Sequence, residues 1–243
     1  MLRSFRLKKD SADQENLIRG KEVSRLECFS DAVFAFALTL LVVSLEVPKS
    51  FDMLLETMRG FVAFGICFAI LANIWNHHYV FCRRFGLDDG PVRGLTCVLL
   101  FVVLLYVYPL KFLFTIFIGG FMGQRTNAIQ DSQLPMLFTI YGIGFAAIFL
   151  VYMLLYGYAI SRKGELHLSP REIFDSRWQI YAFCGQLSVA LVSIVLAHVL
   201  PARLIGWAGF AYFALGIFMT VHGTLYGRAR RALESTAISG HHA

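Results

Sequence analysis

Charge is what this chain has least of. Only 16% of its 243 residues are Asp, Glu, Lys or Arg, while 57% are hydrophobic and the mean hydropathy is +0.62. A soluble domain carries about 25% charged residues, so this chain cannot cover itself with an ordinary wetted surface and reads as an integral membrane protein. Proline is scarce too, six in all, which leaves long stretches without a helix breaker. The five cysteines, Cys28, Cys67, Cys82, Cys97 and Cys184, show no short paired spacing, and that excludes a disulfide framework or a zinc site. Residues 1–23 have no apolar core ahead of a small-residue cleavage site, so they read as a polar tail and not as a secretory signal.

Catalytic signatures are missing as well. There is no Gly-x-Ser-x-Gly elbow, no phosphate-cradling glycine loop and no HExxH. The chain is not expected to be an enzyme, and no catalytic residue or cofactor is assigned. His77 and His78 are adjacent and point about 100° apart on a helix, whereas ligands to one metal need a spacing of three or four. His198 and His222 stand singly and His241 and His242 close a tail, so no metal site is expected. Tyr141-Gly142 and Tyr156-Gly157-Tyr158 lack the Thr-Val that precedes the glycine in a carbonyl potassium filter.

What the chain does have is a set of apolar runs, and the first organises the rest. From Ser24 to Pro48 it reads SRLECFSDAVFAFALTLLVVSLEVP, with Ser24 and Glu27 at capping-box spacing and Pro48 suited to the stop. Cys28 to Val47 is long enough to cross the hydrocarbon. At about 100° per residue, Ala32, Phe36, Thr39 and Val43 share one stripe, with Glu46 near it a turn further on. Asp31 falls roughly a quarter turn away, toward a neighbouring helix. A carboxylate entering a bilayer is costly and marks a functional candidate.

Five further runs approach spanning length: Thr57 to Phe81, Pro91 to Ile118, Leu134 to Ile160, Trp178 to Leu200 and Ala202 to Gly227. The fold class is therefore all-α with six transmembrane helices: a tail over 1–23, a six-span unit over 24–227 and a second tail over 228–243. Of the 22 Lys and Arg residues, 17 fall on the side of the two tails and the second and fourth loops. By the positive-inside rule both termini are cytoplasmic and the protein is a multi-pass protein of the cell membrane. Topology and anionic membrane lipids account for the net charge of +6, and no nucleic-acid partner is needed. In the fourth loop, Ser169, Pro170 and Glu172 repeat the capping-box pattern and predict a short cytoplasmic or interfacial helix. Gly206, Gly209, Gly216 and Gly223 predict close helix contacts in the last span.

The second span travels back toward the cytoplasm, so Trp75, His77 and His78 lie level with Arg25, Ser30 and Asp31. Groups of this kind at one depth can satisfy each other, as membrane interiors require. A structural hydrogen-bond lock is the plainer reading and a proton relay the sharper one.

Together these residues carry a resemblance. Arg25-x-x-x-Phe29-Ser30-Asp31-Ala32-Val33-Phe34-Ala35 and Thr39-Leu40-Leu41, then Trp75-x-x-His78 in the second span, resemble the signature of the transmembrane protein 175 family of potassium-permeable channels. The resemblance covers one six-span unit and implies a homotetramer with the first helices lining a central pore. It implies no carbonyl filter but a hydrophobic constriction and a layer of threonine hydroxyls. By position, it makes Phe36 the constriction, Thr39 the hydroxyl layer and Val43 a further apolar ring, with Ala32 on the same edge. Arg25, Phe29, Ser30, Asp31, Trp75 and His78 then form the network that holds the pore helix. Phe36 stands where relatives usually carry Leu or Ile. Potassium ions are the expected permeant species, with Glu46 at the outer mouth.

Other classes stay open. A secondary transporter would want broken helices, for which Pro109 with Lys111 after it is the best candidate; a proton-conducting channel would titrate Asp31 and His78. A non-conducting membrane scaffold is the remaining reading.

Overall fold

Caps decide where most of these helices begin and end. The computed structural model describes residues 19–20, 22–43, 49–121, 129–201 and 204–239. Their elements are α1 (Arg25–Val43), α2 (Phe51–Phe85), α3 (Gly90–Phe121), α4 (Leu134–Ser161) and α5 (Pro170–Val199). A short α6 (Gly206–Phe210) and a 3-10 turn (Ala211–Phe213) then lead into α7 (Ala214–Ser239).

The Ser50 hydroxyl accepts the Met53 N–H at 3.2 Å and opens α2, six residues ahead of the predicted span. Gly86 closes it in the left-handed region, φ 59°, with its N–H on the Cys82 carbonyl. Only glycine suits that position, because the residue 19–20 segment also lies against it: a Cβ there would come within 3.0 Å of the Arg19 backbone.

At the start of α5 the Ser169 hydroxyl accepts the Glu172 N–H at 3.2 Å and the Glu172 carboxylate accepts the Ser169 N–H at 2.8 Å. The capping box is thus complete, but it does not open a separate short helix. No breaker follows Pro170 before the apolar run, so the same helix continues to Val199. Likewise α7 runs past Gly227 through Arg228, Arg230 and Arg231 to Ser239, because nothing in that basic stretch interrupts it.

Among the described residues, five helices are long and apolar enough to cross a membrane: α2, α3 over Gly90–Gly119, α4, α5, and Trp207–Leu233 through α6 and α7. The protein is a multi-pass integral membrane protein. The 19 residues of α1 carry Arg25, Glu27 and Asp31 in the first two turns. The remainder of the predicted first span, with Glu46 and Pro48, lies outside the described residues.

The densest packing joins α4 and α5. Tyr152 stacks on Phe183 at 5.4 Å between ring centroids, and Tyr156 meets the same ring edge to face at 5.6 Å. His77 sits edge-on to Phe183 at 5.2 Å, so it is part of this aromatic core. The Tyr152 hydroxyl donates to the Ile74 carbonyl at 2.5 Å and ties α4 to α2. Of the glycines expected to allow close contact in the last span, Gly216 and Gly223 meet nothing within 4 Å, while Gly209 lies near Phe138. The tight approaches are elsewhere. A Cβ on Gly142 of α4 would fall 2.4 Å from the Ile194 side chain and 3.3 Å from the Ala190 carbonyl of α5. Gly142→Val should therefore destabilise the folded protein by about 1–3 kcal/mol, whereas Gly216→Ala should not; thermal melting in detergent compares the two, and equal melting points would show that α4 and α5 can part cheaply.

Candidate functional site

The apolar helix α1 has two unlike edges. Phe34, Ala37 and Leu41 are buried, between 0% and 2% exposed, against α2 and α3. Opposite them on the wheel, Ala32, Phe36 and Thr39 are exposed, Phe36 at 58%. The subunit therefore leaves the predicted stripe uncovered along Ala32, Phe36 and Thr39. Val43 has the same register at the limit of the described helix, and Glu46 lies beyond the described residues. The Thr39 hydroxyl donates to the Ala35 carbonyl at 2.9 Å. Its proton is thereby engaged by its own helix, and the oxygen lone pairs remain as acceptors on the exposed edge.

A quarter turn from that edge, Asp31 meets α2. The Trp75 indole N–H donates to the Asp31 carboxylate at 2.7 Å. Trp75 stacks on Tyr79 at 5.6 Å, and Arg83 lies over the Tyr79 ring at 5.4 Å. Residues 75, 79 and 83 are one turn apart, so a single face of α2 presents an indole, a phenol and a guanidinium to α1. At the end of that face the Arg83 guanidinium pairs with Glu27 at 3.5 Å. Glu27 is 4% exposed, and its backbone N–H binds the Ser24 hydroxyl at 3.1 Å. Only half of the predicted capping box forms here, because the Glu27 carboxylate serves the ion pair.

The other members of the predicted network have different partners. The Ser30 hydroxyl donates to the Leu26 carbonyl of its own helix at 2.7 Å. His78 is buried and faces Thr96 of α3 at 3.5 Å, with the Cys82 thiol at 3.8 Å. Phe34 packs near its ring at 6.3 Å. Arg25 and Phe29 are exposed on the first turn, and among the described residues no hydrogen bond or ion pair joins Arg25 to the cluster. Asp31 and Trp75 are thus brought together directly, while His78 belongs to the α2–α3 contact.

Sequence reasoning missed Thr96, Glu27–Arg83 and the segment ahead of α1. Thr96 is a hydroxyl in an otherwise apolar run at the depth of His78, a signal that was present. Gly20 exchanges hydrogen bonds with Arg83, its carbonyl accepting from the guanidinium at 2.7 Å and its N–H donating to the Arg83 carbonyl at 3.2 Å. Arg19 grips the start of α5 by donating to Glu172 at 2.5 and 3.1 Å and to the Leu166 carbonyl at 2.9 Å. No group of three His, Cys, Asp or Glu side chains that could hold a metal occurs among the described residues.

The chain resembles known proteins along most of its length. Residues 25–107 match the family described as "Endosomal/lysosomal potassium channel TMEM175". A potassium channel from Marivirga tractuosa is 40% identical over 227 residues, covering 88% of this chain and 92% of that one. A crystal structure of a variant of the potassium channel MtTMEM175, bound to a nanobody fusion, superposes with a TM-score of 0.76 at 38% identity, over 87% of this chain and 96% of that one. A TMEM175 homologue from Chamaesiphon minutus shares the fold at 22% identity, with a TM-score of 0.55 over 81% of this chain and 95% of that one.

Proposed function

This chain belongs to the TMEM175 family, and on that footing we propose that it assembles as a homotetramer around a potassium-permeable pore lined by the Ala32, Phe36, Thr39 and Val43 edge of α1. The observation that carries the reading is an exposed edge of α1, Ala32, Phe36 and Thr39 with Phe29, Ala35 and Val42 beside it, opposite the buried Phe34, Ala37 and Leu41. An apolar edge of this kind needs either lipid or further copies of itself, and Thr39 gives it an acceptor suited to a cation.

Four Phe36 rings at one level form a constriction that dewets when closed. The Thr39 oxygens offer weak coordination to a partly stripped ion, so preference for potassium over sodium follows the smaller cost of dehydrating potassium and is modest. Glu46 concentrates cations at the outer mouth. Asp31 with Trp75 holds the helix from behind the pore, His78 with Thr96 ties α2 to α3 behind it, Ser30 bonds within the helix, and Arg25 lies at its inner entrance. Membrane lipids cover the remaining apolar surface.

Thr39→Val removes the hydroxyl oxygen at constant shape. The potassium-to-sodium permeability ratio should fall about two- to tenfold, the worth of one hydroxyl contact, when reversal potentials are recorded in planar bilayers. An unchanged ratio would remove Thr39 from selectivity. Electron microscopy of the purified particle should show fourfold symmetry with α1 at the axis; a monomer would overturn the pore.

A further inference from the structure

The pore reading leaves the charge of Lys111 unused. Lys111 lies in α3, two residues after Pro109, and its ammonium donates to the Leu41 backbone carbonyl at 3.2 Å. Leu41 lies in α1, two residues after Thr39, and its side chain is fully buried. On the helical wheel it falls opposite the Ala32, Phe36 and Thr39 edge. The ammonium therefore grips the back of the helix, on the far side from the proposed ion path and within one turn of Thr39.

Two physical facts give this contact a direction. A lysine within a bilayer needs a fixed partner. A backbone carbonyl has two lone pairs, so the Leu41 oxygen can accept the ammonium as well as a helix N–H. Pro109 has no N–H to donate within α3, and its own carbonyl accepts the Tyr141 hydroxyl of α4. The helix is thereby braced from α4 at Pro109, two residues before Lys111 reaches toward α1. The chain α4–α3–α1 ends on the helix that carries Thr39.

We propose that Lys111 is a positioning residue for selectivity: its ammonium fixes the outer end of α1 and so sets the level and orientation of the Thr39 oxygens. The inference rests on the pore reading above. It predicts that charge at position 111, more than side-chain volume, governs the potassium-to-sodium ratio.

The test compares Lys111→Met, Lys111→Gln, Lys111→Arg and Thr39→Val in planar bilayers made with the full-length protein. Lys111→Met should lower the permeability ratio about two- to tenfold, the worth of one hydrogen bond. Lys111→Arg, which keeps a cationic donor, should stay near wild type. If Lys111→Met does not fold, Lys111→Gln answers the same question, since it keeps a donor without the charge and should also lose selectivity. A wild-type ratio in either neutral variant overturns the proposal, as does an equal loss in the arginine variant, which would mean that packing alone matters. A shift with Thr39→Val and none with the neutral Lys111 variants sinks the positioning role and leaves the pore standing. No shift with Thr39→Val sinks the pore reading first and this inference with it.

Discussion

Phe36→Ala protein in potassium-loaded liposomes is expected to release its load at about ten times the wild-type rate or more, because losing only about 1.4 kcal/mol of a dewetting barrier is worth a factor of ten. The ring is 58% exposed in the subunit, so little intrasubunit packing is lost with it and the variant should fold. That separates this position from Phe34, two residues earlier and 2% exposed, whose truncation should damage the fold instead. Flux assays on Phe36→Ala, Phe36→Leu and Phe36→Trp should order the rates by ring size. Equal rates across the series would show that the conduction path does not pass this side chain.

Trp75→Phe should destabilise the protein by about 1–3 kcal/mol, the cost of leaving a polar group inside without its partner. The indole N–H is the donor that holds the Asp31 carboxylate at 2.7 Å, and phenylalanine cannot replace it. Pairing the change with Asp31→Leu should recover most of the loss, since removing both partners is far less damaging than removing one. Thermal melting of the three variants closes a double-mutant cycle. Melting of Trp75→Phe at the wild-type temperature would mean that Asp31 is satisfied from elsewhere, and a double variant no better than the single would assign the indole a packing role.

Much of this was legible in the residues. The quarter-turn offset of Asp31 from the Ala32, Phe36 and Thr39 stripe placed the carboxylate toward a neighbour, and opposite chain directions placed Trp75 level with it. Period-3.6 reasoning handles such pairs because both partners are side chains on regular helices. It failed where one partner is backbone. Nothing in a helical wheel marks the Leu41 carbonyl as the acceptor for Lys111, or the Leu26 carbonyl for Ser30. It also failed where a residue had two uses: Glu27 matched a capping box, and the structure spends its carboxylate on Arg83. Helix limits went wrong where apolar content stood in for a cap, as at Ser50, whose hydroxyl fixes the true start; at Ser169 the cap itself is legible, and the miss is that its helix runs on into the span from Trp178. The glycines of the last span show the same limit, since spacing reports permission for close contact and not its presence.

The grip on α1 bears on how conduction could be switched. Gly20 and Glu27 bind Arg83 near the entry to the helix, Asp31 binds Trp75 a turn further on, and the Leu41 carbonyl binds Lys111 near its far end. A rod pinned at three heights along 19 residues has no free lever arm. Widening the passage by tilting it would break polar contacts in a medium that supplies no replacements. In the proposed tetramer the softer coordinates are rotation of the Phe36 ring about its own bonds and displacement of whole copies of the chain with their struts intact.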